Sequence, residues 1–186
     1  MRVIAGKARS MPLKSLEGMQ TRPTQDRIKE TIFNVLQNDI VNAVFIDLFS
    51  GSGSIGIEAL SRGAKKVYFV EKNNKACNVI KDNLAFTKLE ENAIVVGKDA
   101  ISALSLIKED NVDIIYMDPP YSEAHEEKIL EFLGGLNFIT KDTIIIIEAA
   151  LKTNFDFVEN TDFEIIREKL YKTNKHIFIA RRGDDK

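Results

Sequence analysis

Chemically capable residues are densest in this chain at Asp118-Pro119-Pro120-Tyr121. The stretch closes an apolar, β-branched run, Val112-Asp113-Ile114-Ile115-Tyr116-Met117, which reads as a buried strand. Neither proline offers an N–H to a neighbouring strand, so the chain must leave the sheet at Asp118 in a stiff, extended turn. A carboxylate, two imide carbonyls and a phenol ring are therefore expected together at the C-terminal edge of a strand, where open α/β sheets bind ligands. A planar ring with an exocyclic NH2 suits that set. The ring stacks on Tyr121, and the NH2 donates to Asp118 and to the Pro119 carbonyl. Acceptors so placed favour a pyramidal nitrogen whose lone pair can attack, which is catalysis by position and charge more than by strong base. A Pro-Pro turn that merely ends a strand would carry the same residues, so the other motifs must decide.

Gly51-Ser52-Gly53-Ser54-Ile55-Gly56 stands between a predicted strand, Val44–Phe49, and a predicted helix, Ile55–Arg62. In that context G-x-G-x-x-G lets a ligand approach the backbone, and the helix N-terminus favours a carboxylate or phosphate. Glu71 lies 20 residues beyond Gly51, at the end of a second strand over Lys65–Lys72. That is the place for an acid that binds a ribose hydroxyl pair. A third strand, Ala93–Gly97, leads to Asp99, which either accepts from an adenine amine or caps a helix over Ala100–Lys108.

The remaining pattern positions these groups. A helix over Gln25–Gln37 carries Ile28, Ile32, Phe33, Val35 and Leu36 on one face, and helices over Asn74–Phe86 and Glu126–Leu133 follow the same period. Thr143–Glu148 reads as a fifth buried strand, and Phe163–Tyr171 with Lys175–Arg181 as an antiparallel pair at the sheet edge. Residues 1–20, broken by Gly6, Pro12 and Gly18, read as a small irregular β-hairpin outside the main core, ahead of one domain over 21–186.

Composition narrows the function classes. The chain has 186 residues, 44% hydrophobic and 29% charged, as expected for one globular domain with a small appendage. No apolar run approaches a membrane span, and the start lacks a signal-like apolar segment, so a cytoplasmic location is expected. The single Cys77 excludes an internal disulfide and a cysteine-based zinc site. The net charge of −2 is unevenly spread: Arg2, Lys7, Arg9, Lys14, Arg22, Arg27 and Lys29 against Glu17 and Asp26 give residues 1–29 a net +5, leaving −7 elsewhere. A basic arm on an acidic body points to an anionic partner, nucleic acid first.

Two dinucleotide-like readings compete. An NAD-dependent dehydrogenase would use the glycine loop and Glu71, but no length remains for a substrate domain, and His125 and His176 make a poor acid–base pair. An S-adenosylmethionine-dependent methyltransferase uses the same half-sheet and also accounts for Asp118–Tyr121.

Asp118-Pro119-Pro120-Tyr121 resembles the [DNS]-P-P-[YFW] motif of amino-methyltransferases. More specifically, the chain resembles the bacterial RsmD family of 16S rRNA guanine-N2 methyltransferases over nearly its whole length. The likeness runs through Arg2-Val3-Ile4-Ala5-Gly6, Arg22-Pro23-Thr24, Asp26-Arg27, Lys29-Glu30 and Phe33-Asn34. It continues through Asp47-Leu48-Phe49-Ser50-Gly51-Ser52-Gly53 and Glu58-Ala59-Leu60-Ser61-Arg62-Gly63-Ala64. It implies an α/β, Rossmann-like class I fold, with a seven-stranded, mostly parallel sheet whose strand seven is antiparallel, and a guanine of small-subunit rRNA as target. On this reading Asp118, Pro119, Pro120 and Tyr121 form the catalytic group. Asp47, Phe49, Gly51, Ser52, Gly53, Glu71, Lys72, Asp99, Ala100 and Asp118 hold S-adenosylmethionine. Arg2, Lys7, Arg9, Arg22 and Arg27 meet RNA phosphates, no metal takes part, and the protein is a monomer acting on rRNA within a ribosomal subunit or assembly intermediate. The alternatives are an amino-methyltransferase acting on DNA adenine N6 or on another RNA or protein amide, and a non-catalytic rRNA-binding assembly factor.

Overall fold

The structure is a computed structural model that describes residues 1–16, 23–120 and 125–183. Among these residues, five α-helices and seven strands follow one another as α1 (Pro23–Val35), β1 (Val44–Leu48), α2 (Ser54–Ser61), β2 (Lys66–Val70), α3 (Asn74–Thr87), β3 (Ala93–Val96), α4 (Ala100–Leu104), β4 (Ile114–Met117), α5 (His125–Gly134), β5 (Ile144–Ala150), β6 (Phe163–Leu170) and β7 (Asn174–Arg181). The strands form one sheet in the order β3-β2-β1-β4-β5-β7-β6. Neighbours from β3 to β5 are parallel, and β7 runs antiparallel to both β5 and β6. This is the expected seven-stranded arrangement. The expected edge pair is refined in it: β7 inserts beside β5 and only β6 is outermost.

The near-continuous apolar runs of β1 and β4 are buried throughout, as strands covered on both faces must be. One face packs Leu48, Val70 and Met117 against Leu104 of α4 and Ile129, Leu130 and Leu133 of α5. The other packs Phe45, Phe69 and Tyr116 against Phe33 and Leu36 of α1, Ile57 and Leu60 of α2, and Ile80 and Leu84 of α3. Strand order reverses between β1 and β4, so a crevice opens at their C-terminal ends.

Most element boundaries shift by a residue or two from the sequence reading, and those at the start of β4 and the end of α4 have a local cause. β4 starts at Ile114 because the Val112 N–H turns to the Phe138 carbonyl at 3.0 Å, and the Asp113 carboxylate takes the Val44 N–H at 2.7 Å. α4 stops at Leu104, with Ser105 as its C-cap, short of the expected Lys108.

The N-terminal arm corrects a larger expectation. Arg2 and Pro12 form a single antiparallel bridge, but the arm does not lie outside the core. Val3, Ala8 and Leu13 are buried within the cluster that covers the α1–α3 face. The periodicity of so short a segment could not show this, because its apolar positions match the surface of α2 rather than one another.

Candidate active site

Side chains alternate along strands, and the register brings four carboxylates to one face of the C-terminal edge. Asp47 of β1 is paired with Phe69 of β2 and Tyr116 of β4. Glu71 follows on Phe69's face, and Asp118 on Tyr116's. Glu148 of β5 stands next to Asp118, one position past the Met117–Ile147 pair.

Asp47 is fully buried and accepts the Gly56 N–H at 3.0 Å. Burial pushes its carboxyl up to about 8; the Gly56 bond opposes this, while Asp118 and Glu71 add to it. Just beyond, Phe49 (φ 62°), Gly51 (φ 55°) and Gly53 (φ 79°) all turn left-handed. Ser50 Oγ donates to the Asp47 carbonyl at 2.6 Å and fixes the bend. The glycines serve different ends. A Cβ on Gly56 would lie 2.4 Å from the Phe69 ring, so Gly56 is there for packing, whereas a Cβ on Gly51 would meet nothing within 4 Å. Gly51 therefore marks the open side of the loop, where a ligand can reach the backbone.

Glu71 lies where the sequence placed it, with both oxygens engaged: one accepts the Gly51 N–H at 3.0 Å, the other the Asn73 N–H at 2.8 Å. It thus buckles the loop to the end of β2. Lys72 beside it is exposed. Asp99 caps α4, accepting the Ser102 N–H at 3.0 Å, and hydrogen bonding to Ser102 lowers its carboxyl pKa. Ala100 is buried as the first residue of that helix. Ser52 joins the loop to α3 and the arm: Asn83, buried, donates to the Ser52 and Lys14 carbonyls, both at 3.0 Å, and accepts the Lys14 N–H at 2.8 Å. Cys77 is buried in α3 with its thiol on the Glu71 carbonyl at 3.2 Å.

Asp118 leaves the end of β4 with Pro119 buried and Pro120 exposed. Asp118 is exposed as a whole residue, while its carboxyl is partly withdrawn from water. That desolvation, and then the charge of Glu148, raise it to about 7. Tyr121, the expected stacking ring, and Arg22 lie outside the described residues, as does the side chain of His125. Arg2, Lys7, Arg9 and Arg27 are exposed, with Arg2 3.6 Å from Asp26. Among the described residues no acid, histidine or cysteine cluster could hold a metal, and no helix is long and apolar enough to cross a membrane.

Two groups escaped the sequence reading. The first is the set of partners that holds Glu148. Tyr116 Oη donates to it at 2.6 Å, Asn174 Nδ2 donates to its other oxygen, and His176 Nε2 lies 3.2 Å away. Burial would raise this carboxyl, but bonds to His176, Tyr116 and Asn174 overcome burial and lower it. His176, dismissed as half of an acid–base pair, is wholly buried and pairs across β5/β7 with Glu148. The second is Glu58 of α2, also wholly buried. It accepts the Ile4 and Ala5 N–H groups at 2.8 and 3.0 Å, Arg62 Nε at 2.7 Å, and stands 3.5 Å from the buried Lys29 Nζ. Ser61 adds bonds to the Ala8 N–H and the Ala5 carbonyl. Gly6 (φ 81°) passes so close that a Cβ would lie 1.8 Å from the Ser61 carbonyl oxygen. The Glu-Ala-Leu-Ser-Arg segment is thus the dock for the Val-Ile-Ala-Gly segment of the arm.

A sheet of this order with an acidic C-terminal edge and a glycine loop after its first strand defines a class I, Rossmann-like methyltransferase. The chain belongs to the family described as conserved hypothetical protein 95, matched over residues 1–180. It is 37% identical over 152 residues to the ribosomal RNA small subunit methyltransferase D of Haemophilus influenzae, covering 80% of this chain and 78% of that one. It is 32% identical over 170 residues to the protein of the same name from Escherichia coli K12, covering 91% and 84%. The solved Escherichia coli yhhF protein superposes with a TM-score of 0.83 at 30% identity, covering 99% of both chains.

Proposed function

We propose that this protein transfers a methyl group from S-adenosylmethionine to the exocyclic N2 amine of a guanine in small-subunit ribosomal RNA. The observation that carries this reading is Asp118 at the end of β4, beside an open glycine loop and among carboxylates of one face. When bound, S-adenosylmethionine supplies an electrophilic methyl on a positively charged sulfur, which the acidic edge attracts. Gly51 and its neighbours Phe49, Ser52 and Gly53 would hold it at the loop, with Asp47, Glu71, Lys72, Asp99 and Ala100 along the strand ends. Glu71 would exchange its Asn73 or Gly51 bond for a ribose hydroxyl.

The target guanine must leave its stack to reach the crevice. Asp118 and the Pro119 carbonyl accept the N2 hydrogens and turn the nitrogen lone pair towards the methyl carbon. Pro120 stiffens the turn, and Tyr121 supplies the stacking face. Asp118, or water beside it, would take the N2 proton that methylation of the amine releases. A carboxyl raised towards neutrality is a better acceptor for that proton than an ordinary aspartate. Arg2, Lys7, Arg9, Arg22 and Arg27 contact phosphates, so binding weakens as salt rises. The basic arm favours rRNA over a protein amide, and the names of the relatives favour it over DNA. The protein acts as a cytoplasmic monomer on a ribosomal subunit or assembly intermediate, since a small arm reads few nucleotides by itself.

The test is nucleoside mass spectrometry of small subunits from cells lacking the protein, before and after treatment with the purified chain and S-adenosylmethionine. N2-methylguanosine at one position is expected. Methyl-donor binding without any new methylguanosine would overturn the reading.

A further inference from the structure

Glu148 has no part in the transfer described above, yet three side chains are committed to it. Tyr116 Oη and Asn174 Nδ2 each donate to a different oxygen, and His176 approaches the oxygen that Tyr116 also uses. Tyr116 and His176 are buried core residues whose rings meet edge-on, 6.2 Å between centroids, and Tyr171 meets His176 at 4.9 Å on its other side. The side chain of Glu148 nonetheless stays 16% exposed. A carboxylate served by donors from behind is an obligate acceptor on its open edge.

That open edge lies beside Asp118. The two residues follow directly on the paired Met117 and Ile147 of adjacent parallel strands, so their backbones are one strand spacing apart, about 4.8 Å. If Asp118 accepts from an exocyclic amine, Glu148 faces the neighbouring ring position of the same base. The guanine ring has two such neighbours, bare N3 and N1–H, and only N1–H, a donor, can pair with a carboxylate. In adenine, and in 2,6-diaminopurine on its N2 side, that position is a bare nitrogen whose lone pair would face an anion.

We infer that Glu148, held as an acceptor by Tyr116, Asn174 and His176, is the specificity-determining residue that reads N1–H of the target base and so selects guanine. This deepens the proposed function and rests on it. Where a site is built around a substrate hydrogen bond, the analogue lacking that hydrogen leaves a buried polar group unpaired and is rejected. A bond to a charged acceptor sets the scale at about tenfold to a hundredfold.

The test uses small-subunit rRNA joined by ligation, with either guanine or 2,6-diaminopurine at the position the wild-type protein methylates. Both bases offer the same N2 amine. The full-length wild-type protein should methylate guanine at least about tenfold faster. Glu148→Gln, whose amide can donate to a bare nitrogen, should bind S-adenosylmethionine normally and shift the guanine-to-diaminopurine ratio towards or past unity. Equal rates on the two bases with the wild-type protein would overturn the inference whether or not the variant folds. So would a folded Glu148→Gln protein that keeps the wild-type ratio. Absence of transfer to guanine by the wild-type protein would instead remove the proposed function beneath it.

Discussion

Replacing Glu58 with alanine should destabilise the protein by about 4 kcal/mol, within the roughly 3–5 kcal/mol that follows loss of one partner from a buried ion pair. The carboxylate is wholly buried and faces two backbone N–H groups, Arg62 Nε, and Lys29 Nζ. These four contacts do not add. The arm can swing away and return the Ile4 and Ala5 N–H groups to water, and Arg62 is partly solvated. Lys29 has no such escape, since its side chain is only 3% exposed. Its ammonium would keep its bond to the Arg2 carbonyl, at 2.6 Å, and the weaker pull of Asp26. Urea denaturation reads the effect. With a slope of about 2 kcal/mol per molar, the midpoint should fall by about 2 M. Burial already holds Lys29 below the usual lysine pKa, against the pull of Glu58, and the variant loses that pull. A lysine with a folded pKa below its unfolded one binds fewer protons when folded, so stability rises with pH between the two values. The deficit of Glu58→Ala should therefore shrink from pH 7 towards pH 10. A midpoint shift below about 0.5 M, equivalent to about 1 kcal/mol, would refute the view that this carboxylate fastens the arm.

Asp118→Asn should lower the methyl-transfer rate by about a hundredfold or more, with S-adenosylmethionine affinity within about twofold by calorimetry; the wild-type rate should fall as pH drops through about 7, where Asp118 takes up its proton. Asp47 has a folded pKa of about 8 against an ordinary 3.8, so the folded state binds the extra proton and stability declines as pH rises from about 4 to about 8. Asp47→Asn keeps an acceptor for Gly56, and should flatten that decline and raise stability at pH 8 by about 1 kcal/mol or more, as thermal unfolding across that range would report. Gly6→Ala should cost well over about 1 kcal/mol and weaken RNA retention on filters while methyl-donor binding persists, because the new Cβ would fall on the Ser61 carbonyl.

The sheet was legible because buried parallel strands are written as short β-branched runs, and Val44–Leu48 and Ile114–Met117 carry that pattern without interruption. The positions of the glycine loop, Glu71 and Asp118 at strand ends were legible because position follows local order: strand, then glycines, then helix, with acids at strand ends. Glu58 and Glu148 were not. Glu58 meets Ile4 across 54 positions and Glu148 meets His176 across 28, and no periodicity records such pairings. Glu58 reads in isolation as one more charged residue in an amphipathic helix. His176 was judged as half of an acid–base pair because its true partner appears only when β7 enters the sheet beside β5. In the sequence Asp99 reads equally as cap or ligand acceptor, and its bond to Ser102 shows the cap.

The dock between the arm and α2 has a consequence for the order in which the protein becomes competent. The residues of the arm are fastened by residues made more than fifty positions later, Glu58 and Ser61, and Lys14 waits for Asn83. During synthesis the arm therefore has only α1 to fold against until α2 has formed, and its register is completed only with α3. Those same helices frame the glycine loop: α2 begins at its end, and Asn83 grips Ser52 within it. The basic surface is thus assembled by the same event that shapes the loop. A nascent or damaged chain without that loop would present its cations on a loose strand, not on a fixed ledge.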